Sequence, residues 1–218
     1  MALKIYGVLR SRATRPVWMA MELGIPFQRV PVIQVYRLPD PGAADVPLNT
    51  SSPEFRAVNP NGLVPSIDDD GFVLNESLAI TLYLARKHGG PLAPKDARED
   101  GLMTMWTLWA ATECESHALR IMQNAGAVKT RDATLYDAGV LALTPKFAVL
   151  DKALREGGGF LVGGRFTVAD LNVAEIIRYA QAAPELFAEA PHVQSWIRAC
   201  QSRPAFVAMM AERNAEPV

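Results

Sequence analysis

The chain has 218 residues, a formal net charge of −1 and an apolar fraction of 50%, which is ordinary for a globular protein with a buried core. Such a charge offers no broad basic surface, so we expect neither nucleic acid nor an anionic membrane as a partner. No apolar run reaches the ~18 residues of a membrane-spanning helix. Cys114 and Cys200 are far apart, which favours a cytoplasmic protein without a disulfide scaffold or a metal centre.

The first 88 residues alternate between short apolar runs and helical segments, which predicts an α/β sheet of about four strands. Glycines mark helix ends, and Asp68 to Gly71 is a hairpin signal. The predicted order is strand 3–8, helix 16–23, strand 27–35, helix 53–58, strands 64–67 and 72–74, and a helix from Asn75 to His88.

The remainder of the chain is predicted to be all-helical. Residues 89–97 contain Gly-Gly and two prolines and are interpreted as a linker between a domain at 1–88 and a domain at 98–218. Residues 167–170 have the spacing of a helix capping box, with Asp170 in place of the usual glutamate. Helical spacing is found over 98–127, 132–156, 168–182 and 192–202.

The helix predicted to follow Asn75 begins with an acid and a hydroxyl, Glu76 and Ser77. With Asn75 as the cap, both lie in the first turn, where backbone N–H groups and the helix dipole favour an anion. A ligand carboxylate could bind there while its ammonium group meets Glu76, so the pair suits an α-amino acid group. An ordinary capped helix is the alternative.

Val64 precedes Pro65 at the start of a predicted strand. The bond before a proline is the one commonly found in the cis form. A cis turn here would leave the N–H and carbonyl of Val64 open to pair with an extended peptide. An ordinary turn proline is the alternative.

The turn between the first strand and the first helix carries hydroxyl and basic groups. Ser11 follows the carboxyl end of the strand, where α/β sheets bind ligands, and its hydroxyl could donate to a thiolate and so lower the pKa of that thiol. Thr14 could take this role instead, or either hydroxyl could simply cap the helix. Arg12 and Arg15 could support an anion.

These segments, in this order and spacing, resemble the soluble glutathione transferase superfamily. The similarity spans nearly the whole chain. It is carried by Leu3 to Gly7, Ser11 to Arg15, Met21 to Phe27, Ser52 to Phe55, Asn59-Pro60-Asn61-Gly62-Leu63-Val64-Pro65, Asp70 to Ile80, Gly164 to Leu171 and Arg203 to Phe206.

The resemblance implies an α/β plus all-α fold, with a thioredoxin-like N-terminal domain followed by an all-helical domain, usually in a homodimer. Glutathione would be a substrate, with Val64 before a cis Pro65 pairing with its cysteinyl backbone and Glu76 and Ser77 binding its γ-glutamyl end. Ser11 matches the thiolate-stabilising hydroxyl of the serine-type classes, so the resemblance is to a bacterial-type, serine-type member of the superfamily.

The predicted activity is attack of the glutathione thiolate on a hydrophobic electrophile, as in detoxification. The electrophile would bind between the Ser11 turn and the first helix of the second domain, near Met105 and Trp109, since aromatic side chains line most ligand sites. Peroxidase, dehalogenase or ether-cleaving activity is an alternative within enzymes. A non-catalytic transferase-like binding module is an alternative of another class, although it would have no use for all three glutathione contacts.

Two departures from the family pattern concern the carboxylates of glutathione. Leu63 stands where some classes have a basic residue or histidine, and Leu78 stands where some have an arginine. Arg12 is a candidate to support a carboxylate instead. The turn also lacks the cysteine of the beta and omega classes, which argues against those branches.

Overall fold

The structure is a computed structural model that describes residues 3–43, 45–126 and 130–216. The chain forms two compact units. One unit contains the chain up to His88 together with the segment that begins at Pro204, and the other runs from Gly89 to Arg203. Within the described ranges no helix is long and apolar enough to cross a bilayer.

A mixed four-stranded sheet lies at the centre of the first unit. β1 pairs with β2 in parallel, and β3 is antiparallel to both β1 and β4. In β1 the apolar Leu3 and Ile5 are buried while Lys4 and Tyr6 are half-buried, as the two-residue period of a strand requires. The strands are β1 (Leu3–Tyr6), β2 (Phe27–Val30), β3 (Ser66–Asp69) and β4 (Phe72–Asn75), in the spatial order β2-β1-β3-β4.

Two helices connect strands and a third follows β4, in the predicted order. They are α1 (Thr14–Leu23), α2 (Pro53–Val58) and α3 (Ser77–His88). α1 ends at Gly24, whose φ of 64° is left-handed, as predicted. It begins at Thr14, two residues before the predicted start at residue 16 and within the hydroxyl-rich turn. α1 packs against α3, and residues 13–20 are buried.

In the described residues of the second unit there are six α-helices, numbered α4 to α9. All ten residues of α7 are buried, which confirms its predicted central position. The predicted capping box at its start is also present. The Thr167 hydroxyl accepts the N–H of Ala169, and the Asp170 carboxylate accepts the N–H of Thr167. The helices are α4 (Ala97–Trp109), α5 (Glu115–Asn124), α6 (Ala133–Glu156), α7 (Val168–Ile177), α8 (Pro184–Ala188) and α9 (Pro191–Gln201).

A last helix, α10 (Pro204–Ala215), returns to the first unit and packs on α1. The rings of Trp18 on α1 and Phe206 on α10 meet edge to face, with centroids 4.9 Å apart. The domain limits predicted from the sequence, 1–88 and 98–218, assign this helix to the other domain. The domain limits that we propose therefore include α10 in the N-terminal unit.

Several predicted boundaries differ from the structure. β1 stops at Tyr6 because Gly7 has a φ of 133°, and β2 stops at Val30 because Pro31 has no N–H to donate. β3 begins at Ser66, after Pro65. The single helix predicted over 98–127 is broken by a π-helical turn at Ala110–Cys114, and residue 127 lies outside the described residues.

The prediction that Asn75 caps α3 is wrong. Asn75 is the last residue of β4, paired with Ser66. Glu76 follows with a φ of 69°, and its carbonyl accepts the N–H of Ile80 at 2.9 Å. Glu76 therefore takes the position that precedes the helix, and Ser77 is its first residue.

Candidate active site

The turn between β1 and α1 packs closely against the segment before β3 at Gly7. A Cβ atom built on Gly7 would lie 3.0 Å from Cβ of Ala13 and 3.2 Å from Cβ of Val64. Only glycine combines that close approach with a φ of 133°. The fold therefore brings two of the predicted segments, the Ser11 turn and Val64, to the same place.

The hydroxyl of Ser11 is hydrogen-bonded within its own turn. Its Oγ donates to the carbonyl of Val8 at 2.6 Å and accepts from the N–H of Ala13 at 3.0 Å. Ser11 is half-buried, whereas Thr14 is 0% exposed and Arg12 is exposed. Of the two candidate residues, Ser11 is the one that is partly exposed in this conformation.

The Val64–Pro65 peptide bond is cis, as expected. Among the described residues, none forms a hydrogen bond with the N–H or carbonyl of Val64. The buried side chain of Asn59 shapes this loop, because its Nδ2 donates to the carbonyl of Leu63 at 2.7 Å and to Oγ of Ser66 at 3.2 Å. The Val64 main chain is thus a strand-like edge without a partner in the described chain.

At the start of α3, the side chain of Glu76 faces solvent and that of Ser77 is buried. Glu76 is exposed and Ser77 is 6% exposed. The buried guanidinium of Arg15, on α1, donates to Oγ of Ser77 at 3.0 Å. This bond ties α1 to α3, and it leaves the Ser77 hydroxyl proton available as a donor.

Two family models match the chain. The model of the glutathione S-transferase N-terminal domain matches residues 11–87, and the model of the C-terminal domain matches residues 107–204. The chain belongs to the glutathione S-transferase family.

Individual members of the glutathione S-transferase family are similar to this chain over nearly their whole length. Glutathione S-transferase 3 of Zea mays is 30% identical, over 94% of this chain and 91% of the relative. Glutathione transferase F7 of Populus trichocarpa is 27% identical with a TM-score of 0.81, over 98% of this chain and 100% of the other. A theta class enzyme from Xanthomonas axonopodis pv. citri, solved with glutathione bound, is 27% identical with a TM-score of 0.72. The match covers 95% of this chain and 96% of the other.

The family match confirms the predicted superfamily, the thioredoxin-like plus all-helical fold and the glutathione S-transferase reaction, with glutathione as the thiol substrate. The roles of individual residues stay predictions.

The protein's own thiols are poorly suited to chemistry in this glutathione S-transferase. Cys114 and Cys200 are both buried, and neither is in a disulfide. Burial raises the pKa of the Cys114 thiol to about 12, so it is protonated at neutral pH. In the described part of the chain, no group of three His, Cys, Asp or Glu side chains could hold a metal ion.

Met105 and Trp109, the predicted acceptor-site residues, lie on α4 in the second unit. Met105 is 44% exposed, and the ring of Trp109 packs edge to face against Trp106 with centroids 5.1 Å apart. The acceptor pocket predicted near them stays a prediction.

Sequence reasoning misses two structural features of the site. It identifies Asn59 only as part of a motif, although the amide of this residue organises the Val64 loop. It offers Arg15 as support for an anion, but the bond to Ser77 is not foreseeable because the two residues are far apart in the chain.

Proposed function

We propose that the protein activates the thiol of glutathione with the Ser11 hydroxyl and adds the thiolate to a hydrophobic electrophile. The observation that carries this proposal is the close approach of the Ser11 turn and Val64 at Gly7, where a Cβ atom would lie 3.0 Å from Ala13 and 3.2 Å from Val64. A peptide paired with the Val64 main chain would then present its cysteine beside the turn.

The γ-glutamyl end of glutathione is assigned to the start of α3. The exposed carboxylate of Glu76 would meet the ammonium group, and the N-terminus of α3 would favour the carboxylate. Ser77 accepts from Arg15 at 3.0 Å, so its own proton can be donated to that carboxylate. Because Leu63 and Leu78 offer no charge, Arg12 is the proposed support for a carboxylate of the tripeptide.

Ser11 rather than Thr14 is the proposed thiolate donor. The Thr14 hydroxyl is buried and donates to the carbonyl of Ser11 at 3.3 Å. To donate to a sulfur, the Ser11 hydroxyl would rotate about its Cα–Cβ bond and give up its bond to the Val8 carbonyl. Lowering the thiol pKa by about two units corresponds to roughly 2.7 kcal/mol of preferential thiolate stabilisation.

The test is the pair of variants Ser11→Ala and Ser11→Thr. We expect Ser11→Ala to lower turnover of an aryl halide by about 100-fold at neutral pH and to keep glutathione binding, measured by calorimetry, near the wild-type level. The pKa of the bound thiol, followed by thiolate absorbance, should rise, because the anion loses a donor. Turnover should therefore recover as pH is raised.

Ser11→Thr retains a hydroxyl and should retain most of the activity. Thr14→Val serves as the second control, since it removes a hydroxyl that is buried beneath the turn. Unchanged turnover in Ser11→Ala, or an equal loss in Thr14→Val, would assign the donor elsewhere.

The same proposal includes a serine-type class, a role in detoxification, a cytoplasmic location and a homodimer. Two buried cysteines outside any disulfide suit a reducing compartment. Exposed apolar side chains on one face of α4 support the homodimer, since such a stripe is typical of an interface. They are Leu102 (47% exposed), Met105 (44%) and Leu108 (57%).

A further inference from the structure

The side chain of Glu216, just after α10, binds the main chain of the turn that carries Ser11. One carboxylate oxygen accepts the N–H of Leu9 at 2.7 Å and the N–H of Arg10 at 3.3 Å. Successive N–H groups that converge on one anion are a strong backbone clamp, because each hydrogen bond is assisted by charge. Residues 9 and 10 directly precede Ser11.

The carbonyl of Arg10 is held from the other direction. It accepts from Nη1 of Arg37 at 3.3 Å and from Nε2 of Gln34 at 3.5 Å. The peptide groups on both sides of Arg10 are therefore fixed by charged or polar side chains. The orientation of the peptide that enters Ser11 follows from these contacts.

Glu216 is itself fixed in place. Arg29, on β2, forms ion pairs with Glu216 and with Glu212, and Nε of Arg10 donates to the carbonyl of Glu216 at 3.3 Å. The side chain of Glu216 is 13% exposed, compared with 47% for Glu212. Its carboxylate is the less solvated of the two, which makes its hydrogen bonds the stronger ones.

We infer that Glu216 is a positioning residue that holds the β1–α1 turn so that the Ser11 hydroxyl can reach the glutathione thiol. This inference rests on the proposed function of Ser11. Glu216 acts through Leu9 and Arg10 and does not touch the substrate. Ser11 depends on this geometry, because the peptide groups on both sides of Arg10, which directly precedes it, are fixed by these contacts.

The effect on kinetics should separate binding from chemistry. Among the described residues, no hydrogen bond or ion pair joins Glu216 to Val64, Glu76 or Ser77, which are assigned to glutathione binding. Loosening the turn should thus reduce thiolate stabilisation and kcat, with little change in KM for glutathione.

The experiment compares Glu216→Ala with Glu212→Ala, which removes a neighbouring carboxylate that shares Arg29 but does not bind the turn. Amide hydrogen exchange at Leu9 and Arg10, thiolate absorbance of bound glutathione, and kcat and KM with an aryl halide are measured for each. In Glu216→Ala we expect faster exchange at both amides, a thiol pKa raised by about one unit and kcat lowered about tenfold.

Glu212→Ala should match the wild type in all three measurements. Glu216→Gln, which keeps an acceptor oxygen, should recover part of kcat and of the exchange protection. Wild-type thiol pKa and kcat in Glu216→Ala would overturn the inference even if the melting temperature fell, as would an equal loss in Glu212→Ala. Failure of the wild type to bind glutathione would instead overturn the proposed function. In that case, amide exchange at Leu9 and Arg10 without ligand would still show whether Glu216 holds the turn.

Discussion

At the scale of single residues, the Ser77 hydroxyl has two roles: it accepts a buried hydrogen bond from Arg15, and it is proposed to bind glutathione. Arg15 is 1% exposed, so its charge needs hydrogen-bond partners within the protein. Ser77 supplies one of them and is also assigned to the γ-glutamyl carboxylate. The same hydroxyl oxygen therefore serves fold stability as an acceptor and ligand binding as a donor.

Ser77→Ala should weaken both functions. Loss of a buried hydrogen-bond partner costs about 1–3 kcal/mol of unfolding free energy, and the affinity for glutathione should fall about tenfold. Thermal unfolding and calorimetry measure the two effects separately.

The matched control for Ser77→Ala is Thr81→Val, one turn further along α3. The Thr81 hydroxyl is also buried and donates to the carbonyl of Leu78 at 2.9 Å. Its loss should affect stability alone. Equal affinity losses in the two variants would show that Ser77 acts only through the fold.

Local contacts are predictable from the sequence at this scale, and distant ones are not. The left-handed Gly24 and the Thr167–Asp170 capping box connect residues within four positions, so their residue types predict them. Arg15 and Ser77 are 62 residues apart, and Leu9 and Glu216 are 207 apart. Nothing in the local pattern specifies such partners, because packing of the complete unit brings them together.

At the scale of elements, the crossing of α5 and α6 depends on one glycine. A Cβ on Gly139 of α6 would lie 2.7 Å from Cγ1 of Ile121 and 3.1 Å from the carbonyl of His117 on α5. The helices can approach this closely only without a side chain there. This glycine has a packing role rather than a turn role, since it lies within a helix.

Gly139→Ala should destabilise the protein by about 1–3 kcal/mol through overpacking, despite the better helix propensity of alanine. Gly101→Ala in α4 is the control, because a Cβ there has no heavy atom within 4 Å. That variant should gain up to about 1 kcal/mol. Chemical denaturation measures both changes, and a stabilising Gly139→Ala would contradict the close crossing.

Element types are more predictable than element ends and partners. The order of strands and helices up to residue 88 follows from periodicity, glycines and prolines. The cap predicted at Asn75 is wrong because ladder pairing with Ser66 keeps that residue in β4. The packing of α10 on α1 is not predictable from the sequence. Phe206 indicates that α10 has an apolar face, but not which surface of the protein that face contacts.

At the scale of the whole molecule, the proposed homodimer would form through the exposed stripe on α4. Leu108→Glu would place a charge in the proposed interface, where desolvation is unfavourable, so the dimer should dissociate to a monomer. Leu141→Glu on α6 is the control, because Leu141 is apolar and 76% exposed but lies outside the stripe. Light scattering after gel filtration distinguishes the two masses, and a dimeric Leu108→Glu would exclude this face.

The return of α10 to the first unit has a consequence for biosynthesis. A ribosome produces the sheet first and α10 only after the whole second unit, at roughly 5 to 20 residues per second. Until then Trp18 lacks Phe206, and Leu9 and Arg10 lack Glu216. The nascent N-terminal unit must therefore wait for the other unit to be translated before its own surface closes, and the Ser11 turn acquires its clamp only after residue 216 has been translated.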